Sequence, residues 1–499
     1  MFHLEEKEKD MKRKFLLGAT LLLCMGLFTG CGGKDYDFYI FNVKSENADA
    51  LEKVCKAYGE ETGQKIKVFS IGTTDGIDLL RADMNSNHKP AIYSVNAETV
   101  PEWEEGGFLK DLREASTPEM RELAESIPQG MQLSSGNGTN YGIPYNVEGY
   151  GYIIDTKMVD ALFGEKNTMN WLEDFKTATY DEFEALVTAA DDYIKNGTGG
   201  TVHLSGNEYT FQPEKNEISS QLNGVFSVAG AEKWTYGDHM SNFALNAVLD
   251  SLSAAQNATD EQVDELKTPL EKSIQVEELM TSHAAGAKGT LKRSPDFINS
   301  TTSGYDQAIQ IFADHKSIFI KQGNWVYSNI EKINPEIVKT ITMLPVKMPF
   351  TQEDIKIPGM TVEKFNSSVP EFVPSYYAIN KKAEPEEQEK AEKFLYWLNT
   401  SKEGQDFIIN DFAFIPFTAD ASVEFENPLN NALIGYLREG NVLSNPFNGA
   451  PPTWGQEVYG KILMEQYFIK EDWEPDAYEK IADECISQWK ALRKLGEED

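Results

Sequence analysis

The chain has 499 residues, 40% of them hydrophobic and 11% aromatic, so it can bury more than one core and is not an intrinsically disordered protein. Its formal net charge of −34 argues against nucleic acid as a partner, which needs a basic surface, and against a body that lies on an anionic membrane. The four cysteines include no CxxC pair and no Cys/His cluster, so the sequence predicts neither a metal site nor a cofactor.

The N-terminal region has the pattern of a bacterial export signal. Residues 12–14 (KRK) are positive, and residues 15–28 form an apolar run that is too short to span a bilayer as a helix. Residues 27–31 (LFTGC) resemble the lipobox of bacterial lipoproteins, which implies that Cys31 becomes the diacylated mature N-terminus. Two acyl chains attach a protein stably, so we expect a lipid anchor on the extracytoplasmic face of the cell membrane. The alternative is an ordinary signal peptide in which Cys31 is incidental.

The limits of the signal follow from the same pattern. Residues 1–31 are assigned to the signal peptide and lipobox. The acidic-rich first ten residues do not fit an export signal, so translation is expected to start at Met11 instead of Met1. The mature chain retains two further cysteines, Cys55 and Cys485, for which two buried free thiols are favoured over a disulfide.

The mature chain opens with strands that alternate with helices. The predicted elements are a strand at 35–43, a helix at 48–62, a strand at 65–70, a helix at 76–85, a strand at 91–95 and a helix at 100–106. This order predicts parallel strands in an α/β sheet, and such sheets present ligand sites at the carboxyl ends of their strands. Asn42 and Asn96 follow two of those ends, so we predict that both contact the ligand.

The rest of the chain continues the pattern without an intervening linker. Helices are predicted at 180–190, 244–255, 384–398, 457–468 and 477–495, and short strands at 341–346 and 375–380. Because no repeat, low-complexity block or linker divides the sequence, two lobes would have to interleave along the chain instead of following one another.

Five short segments of the mature chain carry recognisable motifs. They are 91–112 with a strand, loop and helix ending in a glycine turn, 141–159 with GIPY, 180–189 with YDEF, 312–330 with GNW, and 374–407 with EGQDF. In this order they resemble the extracellular sugar-binding proteins of bacterial ABC importers, the maltose-binding-protein-like family. Each motif is short, but their order across most of the mature chain, behind a lipobox, makes the resemblance specific.

The resemblance implies an α/β fold of the periplasmic-binding-protein type, in which two interleaved lobes are joined by hinge crossovers and close on a ligand. Lobe 1 would comprise residues 35–146 plus 346–409, and lobe 2 residues 147–345 plus 410–499. The hinges would lie near residues 144–148, 344–346 and 410.

Candidate ligand residues follow from the chemistry of a sugar. A pyranose has C–H groups on its faces and hydroxyls at its edge, so its site needs aromatic platforms beside amides and carboxylates. Trp325 matches the stacking tryptophan of the family. The predicted ligand-binding residues are Trp325, Tyr145, Trp454, Glu148, Tyr376, Asn96, Asn223, Trp234 and Asn42. For each, the alternative is a structural role in the core, in a turn or at the hinge.

The sequence thus predicts the solute-binding lipoprotein of an ABC importer, a monomer without enzyme activity. It would capture a sugar or oligosaccharide and deliver it to the permease subunits in the membrane. One alternative is the same scaffold with a polyamine, a phosphodiester or a metal chelate as its solute. A more remote one is a glycoside hydrolase, which needs two carboxylates about 5–10 Å apart. No Gly-x-Ser-x-Gly, HExxH or P-loop motif is present, so no catalytic residue is assigned.

Overall fold

The computed structural model describes residues 34–44, 47–71, 73–128, 131–134, 138–419 and 423–498. The predicted signal peptide and lipobox, with Met11 and Cys31, therefore lie outside the described residues. Within the described ranges, no helix has both the length and the apolar character needed to cross a membrane.

Strands and helices alternate over residues 38–105 of the described chain, as predicted, whereas further along several strands or several helices follow one another directly. The strands are β1 (Phe38–Asn42), β2 (Ile66–Ser70), β3 (Ile92–Val95), β4 (Gly142–Pro144), β5 (Glu148–Asp155), β6 (Thr201–Leu204), β7 (Asn207–Thr210), β8 (Phe226–Ser227), β9 (Ala285–Gly286), β10 (Gly289–Thr290), β11 (Phe319–Gly323), β12 (Ile341–Leu344), β13 (Val369–Phe372), β14 (Tyr376–Ile379) and β15 (Val442–Leu443).

The helices lie between and after these strands. They are α1 (Ala48–Thr62), α2 (Thr73–Met84), α3 (Val100–Glu105), α4 (Pro118–Ser126), α5 (Thr156–Phe163), α6 (Thr168–Thr177), α7 (Tyr180–Asn196), α8 (Lys233–Gly237), α9 (His239–Val248), α10 (Leu252–Gln256), α11 (Asp260–Glu265), α12 (Lys267–Ser282), α13 (Ser300–Ser303), α14 (Tyr305–Ala313), α15 (Tyr327–Ile333), α16 (Val362–Asn366), α17 (Pro385–Thr400), α18 (Lys402–Asp406), α19 (Pro428–Glu439) and α20 (Ala477–Glu498). Short 3-10 and π-type turns connect several of them.

Two main sheets organise the molecule. The first has the strand order β2-β1-β3-β14-β4, in which β1 is parallel to β2 and β3 while β14 is antiparallel to β3 and β4. The second has the order β15-β13-β5-β11-β8, and β12 pairs with the far end of β5. We refer to the parts of the chain around the first and second sheets as the first and second lobes.

Helices cover both faces of the first sheet, so its strands are buried on both sides. Phe38 and Ile40 of β1 pack with α1 and α17, whereas Tyr39 and Phe41 point to the opposite face and pack with α2 and α3. Successive side chains of a strand alternate between faces, which explains why all five residues of β1 are buried.

The second sheet is built in the same way. Tyr152 and Ile154 of β5 pack with α7 and α9, and Ile153 packs on the other face with α14 and α19. Cys485 lies in this lobe and Cys55 in the first; both are buried free thiols, as favoured from the sequence.

Local sequence signals account for the clearest helices. Helix α7 begins with a reciprocal cap in which Thr179 Oγ1 accepts from the Glu182 backbone N–H, while the Glu182 carboxylate accepts from the Thr179 backbone N–H at 2.9 Å. The helix ends at Gly197, whose φ of +74° is the left-handed conformation that glycine adopts at little cost. Helix α1 ends in the same way at Gly63.

One predicted helix is corrected by the structure and another is confirmed with a wider winding. The helix predicted at 244–255 is divided, because Leu249 is extended and Ser251 accepts from the Ala254 backbone N–H to start a new helix, α10. The helix predicted at 457–468 is an unbroken helical run over residues 454–467, which is wound as a π-helix at Trp454–Gly460 and Leu463–Tyr467.

The chain passes between the sheets at places near the predicted hinges. β4 ends at Pro144 in the first sheet, and β5 begins at Glu148 in the second. Further along, Phe414 packs in the core of the first lobe, and the next residue, Ile415, packs in that of the second.

The sheet pairing differs from the predicted division in one segment. Residues 346–409 were expected in lobe 1, but β13 forms antiparallel pairs with Glu148 and Gly149 of β5 in the second sheet. Val346 packs in the core of the second lobe as well. The crossing that was predicted near 344–346 therefore lies between β13 and β14.

Candidate functional site

Five aromatic rings of the second lobe converge beside β5. These residues, the aromatic cluster, are Tyr150, Trp234, His239, Trp325 and Phe372. The Trp325 ring centroid lies 6.2 Å from that of Trp234, 5.4 Å from His239 and 6.2 Å from Phe372. Tyr150 lies beneath them and is buried, whereas the other four residues are partly exposed as a whole; the Nδ1 atom of the His239 ring is itself buried. The structure thus brings together two of the predicted residues, Trp325 and Trp234.

The position of the Trp325 ring is set by the end of β11. The ring lies directly over Gly323, where a Cβ atom would be 2.0 Å from the indole. Trp325 Nε1 also donates to Oε1 of the buried Gln322 at 3.1 Å. Only a residue without a side chain leaves room for the ring, which gives the Gly-x-Trp spacing a physical reason.

His239 supplies a neutral ring to the aromatic cluster. Its imidazole stacks on Tyr150 with centroids 4.0 Å apart and planes 14° apart. Burial lowers the pKa of His239 well below its usual range, and the positive charge of Lys321 lowers that pKa further. The imidazole is therefore uncharged near neutral pH and presents a stacking surface instead of a cation.

Beneath the aromatic cluster lie two buried ionisable groups, Glu277 and Lys321. Burial raises the pKa of Glu277 and lowers that of Lys321, while the attraction between the two charges opposes both shifts. Lys321 Nζ donates to the Thr235 carbonyl and lies 5.9 Å from the Tyr150 ring centroid. These contacts join β11 to α8. They therefore fix the position of Trp234, which lies in α8, relative to Trp325, which follows β11.

Three other predicted residues meet at the first crossover. Lys44 Nζ pairs with Glu148 Oε1 at 2.8 Å, and Asn42 accepts a 3.3 Å hydrogen bond from the Tyr145 hydroxyl. Asn47 donates to that hydroxyl and accepts from Asn42. Asn42, Tyr145 and Glu148 are only 0%, 5% and 4% exposed, so in this conformation they form a joint between the lobes and offer little surface to a solute.

The remaining predicted residues lie apart from the aromatic cluster. Trp454 is fully buried, because Nε1 donates to the Cys485 carbonyl at 2.8 Å and the ring packs edge-on against Trp489. Its ring therefore has no free face for a ligand, contrary to the sequence prediction. Tyr376 is 5% exposed and packs in the core of the first lobe.

The two asparagines differ in position. Asn223 Nδ2 donates to the Gly286 carbonyl, and its backbone N–H donates to the Lys316 carbonyl. This turn precedes β8, which is parallel to β11, so Asn223 lies at the end of the sheet opposite to Trp325. Asn96 is partly exposed at the carboxyl end of β3 and directly precedes Ala97, which lines a cavity between the lobes.

A cavity of about 900 Å³ lies between the lobes. The residues that line it from the first lobe are Arg81, Ala97, Thr99, Pro101 and Glu102. From the second lobe, the lining consists of Asp238, residues 255–257, 447–453 and 455–457, Leu492 and Arg493. The cavity begins next to the aromatic cluster, because Asp238 directly precedes His239 in the chain.

Several charged groups of the cavity have partners within their own lobe. Arg81 donates to both Glu102 oxygens, at 2.6 and 2.8 Å. Gln456 Nε2 donates to Asp238 Oδ2 at 2.8 Å. Glu457 forms an ion pair with Lys233, which lies beside Trp234. Arg493, which also lines the cavity, donates to the Ala258 carbonyl. The walls are therefore polar and rich in planar groups that can form hydrogen bonds, and two ion pairs of the walls each lie within one lobe.

A chain of hydrogen bonds joins the aromatic cluster to the cavity wall. Asn242 Nδ2 donates to the Tyr150 hydroxyl at 3.0 Å, and Asn242 Oδ1 accepts from the Phe447 backbone N–H at 3.1 Å. The turn that contains Phe447 spans Pro446–Gly449 and comes within 8 Å, Cα to Cα, of the turn Ala97–Thr99 in the first lobe.

Sequence reasoning missed three members of the aromatic cluster. Tyr150 follows Glu148 by two residues, so strand periodicity already places both side chains on one face of β5. His239 follows Trp234 by five residues, and no local signal marks it. Phe372 lies on β13, whose VPEF sequence was not predicted as a strand. In the described residues, no group of three or more His, Cys, Asp or Glu side chains is arranged to hold a metal ion.

The chain is similar to known proteins in sequence pattern and in fold. The family model for bacterial extracellular solute-binding proteins matches residues 53–430. The solute-binding protein RafE in complex with raffinose is similar at 15% identity and a TM-score of 0.59, over 91% of this chain and 99% of that one. A chitin oligosaccharide binding protein is similar at 12% identity and a TM-score of 0.59, over 91% and 97%.

A third solved structure has the same fold. It is a cyclo/maltodextrin-binding protein complexed with maltotetraose, similar at 13% identity and a TM-score of 0.52, over 93% of this chain and 98% of that one. These structural likenesses confirm the predicted α/β fold of the periplasmic-binding-protein type. A comparison with curated proteins found no match.

Proposed function

Because the chain belongs to the bacterial extracellular solute-binding proteins, we propose that it is the lipid-anchored binding component of an ABC importer that captures a sugar or oligosaccharide between its lobes. The anchor would be Cys31, and the loaded protein would deliver its solute to the permease subunits as a monomer. The family and its structural neighbours are binding proteins, in keeping with a role in capture instead of catalysis.

The convergence of Trp234 and Trp325 carries the proposal. Both rings are partly exposed, and the partners around them are aromatic and uncharged. Aromatic faces bind the C–H faces of sugar rings, and amide and carboxylate groups at the edge bind the hydroxyls. Raffinose and maltotetraose are the ligands named for two of the structural neighbours, which supports the same class of solute here.

The ion pairs of Arg81 with Glu102 and of Glu457 with Lys233 favour a neutral solute over the charged alternatives. A polyamine would need carboxylates that are not already neutralised, and a phosphodiester would need such cations. In the cavity, Arg81 is bound to Glu102, and Glu457 to Lys233. Breaking such pairs to bind an ion would cost part of the energy that the ion contributes, whereas a hydroxyl can add to them.

Capture would operate through closure of the lobes. A solute that contacts the aromatic cluster and the first lobe at Asn96 binds the closed form more tightly than the open form, so it shifts the population toward closure. The buried joint of Lys44 with Glu148 and of Asn42 with Tyr145 lies at the crossover, where it can guide the hinge without touching the solute.

A thermal-shift screen tests the proposal. The protein is heated with neutral mono- and oligosaccharides, with polyamines and with phosphodiesters, and a solute at a hundred times its Kd should add about 2.7 kcal/mol to the unfolding free energy. We expect a shift with a sugar series that is lost in Trp325→Ala and kept in the control Trp397→Phe, which lies in the first lobe. A shift with charged solutes alone would overturn the sugar assignment, and turnover of a chromogenic glycoside would identify a hydrolase.

A further inference from the structure

We infer that three buried asparagines, Asn324, Asn427 and Asn430, form a polar relay that couples the position of the Trp325 ring to the backbone of two crossovers between the lobes. This inference rests on the proposed function, since it concerns how a sugar on Trp325 would act on the lobes. The three residues are 3%, 3% and 0% exposed, and the described lining of the cavity includes none of them. They would therefore influence binding without touching the solute.

Bonds among its members hold the relay together. Asn430 Oδ1 accepts from Asn324 Nδ2 at 2.7 Å and from Asn427 Nδ2 at 3.2 Å. Asn427 Nδ2 also donates to the Asn324 carbonyl at 3.2 Å, and its Oδ1 caps α19 by accepting from the Leu429 backbone N–H. Because a buried amide that loses a partner is costly, the three side chains favour one common arrangement and change it together.

Asn324 connects the relay to the first crossover, which joins β4 to β5. It directly precedes Trp325, and its Oδ1 accepts from the Gly149 backbone N–H at 3.1 Å. Gly149 follows Glu148, the first residue of β5, and a Cβ atom on it would lie 2.6 Å from Leu433 Cδ1. The Trp325 turn and the first crossover are therefore closely packed, so a shift of one is transmitted to the other.

Asn430 connects the relay to the last crossover, at which the chain passes from Phe414 in the first lobe to Ile415 in the second. Asn430 Nδ2 donates to the Ala413 carbonyl at 3.0 Å. The backbone N–H of Val147, in the first crossover, donates to the Ile415 carbonyl at 2.9 Å. The two crossovers are thus bonded to each other as well as to the relay.

Ala413 adopts a strained backbone conformation beside the last crossover. Its φ is +56°, in the left-handed region that suits glycine and costs an alanine energy. Such residues persist only where their surroundings hold them, and the bond from Asn430 is one of the contacts that hold Ala413. When a sugar shifts the Trp325 turn and with it the relay, this bond weakens and Ala413 can leave the left-handed region. The relay would thus control the movement of the lobes at this crossover.

Distances between spin labels on the two lobes test the inference in the full chain. The labels are attached at Glu60→Cys on α1 and Asn196→Cys on α7, which are exposed positions, whereas the native Cys55 and Cys485 are buried. Raffinose, maltotetraose and chitin oligosaccharides are added in turn, and calorimetry on the same samples gives the affinity. A sugar that binds should shift the distance between the labels.

Breaking the relay at Asn430 should change both measurements. In Asn430→Ala we expect the label distances without sugar to differ from those of the labelled parent, and the sugar affinity to change by about fivefold or more, the lower end of coupling between linked sites. The matched control is Asn399→Ala, which removes a buried asparagine of α17 whose Nδ2 donates to the Leu395 carbonyl of the same helix. Distances and affinity should stay unchanged in this control.

The substitution Ala413→Gly shows whether the relay acts through Ala413. Glycine adopts left-handed and right-handed backbones at similar cost, so the relay no longer holds a strained residue. In this background we expect Asn430→Ala to change the affinity by less than about twofold, which is the usual scatter for independent sites. The control background is Ser205→Gly, at another left-handed residue, with φ of +47°, between β6 and β7. There the effect of Asn430→Ala should persist.

The outcomes separate the two proposals. Equal effects of Asn430→Ala in the parent and in Ala413→Gly, or parental distances and affinity in Asn430→Ala, would overturn the relay and leave sugar capture intact. If Asn430→Ala folds poorly, Ala413→Gly alone gives the test, because glycine fits this backbone, and parental distances and affinity in that variant would overturn the relay. Binding of no sugar by the parent would overturn the proposed function, and this inference with it.

Discussion

Trp325 and Trp454 look alike in the sequence and differ in the folded chain. Each lies in a turn beside glycine and polar residues, and both belong to the second lobe. The Trp325 ring rests on Gly323 and bonds to Gln322, three residues away, so its other face stays partly exposed. Helix α20 covers the Trp454 ring, whose Nε1 donates to the Cys485 carbonyl.

The difference shows what makes an aromatic residue available to a solute. The Trp325 ring is positioned by Gly323 and Gln322, which lie just before it in the chain. The Trp454 ring is buried by Trp489 and Cys485, which lie more than 30 residues away in the C-terminal helix. A turn motif therefore indicates how an aromatic side chain is positioned locally. Whether the ring is exposed to a ligand depends on the packing of segments that are remote in the sequence.

The largest expected effect is on stability, in Trp454→Ala. Removal of a fully buried tryptophan leaves a cavity and an unpaired Cys485 carbonyl, so the unfolding free energy should fall by about 3–5 kcal/mol. Urea denaturation measures the loss of unfolding free energy. In Trp454→Phe this loss should be less than half as large, because an aromatic ring still fills most of the space. A stable Trp454→Ala protein with weakened sugar binding would contradict the comparison, because it would place the ring in the site.

The second effect is on binding, in Trp325→Ala. Loss of one partly exposed ring from the aromatic cluster should weaken sugar binding by about 2 kcal/mol, or roughly 30-fold, through lost stacking and apolar contact. The unfolding free energy should change less than in Trp454→Ala. Calorimetry of binding and urea denaturation of the same samples check both statements, and unchanged affinity would remove Trp325 from the site.

A third test moves the Trp325 ring without removing it. In Gly323→Ala the new Cβ would lie 2.0 Å from the indole, so the ring must shift. Because the φ of Gly323 is −110°, backbone strain does not contribute. We expect about 1–2 kcal/mol of lost stability from overpacking, together with weaker sugar binding.

Gly435→Ala is the matched control for this test. A Cβ atom at that position in α19 meets nothing within 4 Å, so stability should stay the same or rise slightly. If Gly323→Ala binds sugar as tightly as the wild type, the contact between Gly323 and the Trp325 ring does not orient that ring for the solute.

The smallest effect is the pH dependence of stability. It concerns the surroundings of Trp325, which include the titratable ring of His239. The pKa of His239 is lowered in the folded state by burial and by Lys321, so the unfolded chain binds more protons just below pH 6.5. Stability should therefore decrease as pH falls below about 6.5, by less than about 1.4 kcal/mol per pH unit.

Comparison with His239→Phe separates the contribution of His239 to the pH dependence of stability from that of other acid-sensitive groups. The variant keeps an aromatic ring on Tyr150 and cannot gain a proton, so its stability relative to the wild type should increase from pH 7 to pH 5.5. Urea denaturation at several pH values measures the difference. A constant difference over this range would show that His239 titrates normally in the folded protein.

Much of the fold could be predicted from the sequence, and less of the site. Helix α1 has the predicted bounds, and the first three strands lie within the predicted ranges, because their hydrophobic periods are regular. Strand β13 was missed, since its pairing with β5 depends on a neighbour more than 200 residues away. In the site, Trp325 and Trp234 were anticipated, whereas His239 and Phe372 were not.

The sequence by itself determined the class of protein, through its alternating elements and the order of its family motifs. It also determined which residues have the chemistry to bind a sugar. Only the tertiary structure decided which of them are exposed: it enclosed Trp454 under α20, turned Glu148 and Tyr145 into a joint and brought Trp234 to Trp325. The reason is that periodicity and turn motifs depend on neighbours along the chain, while burial and pairing depend on segments that meet only when the chain is folded.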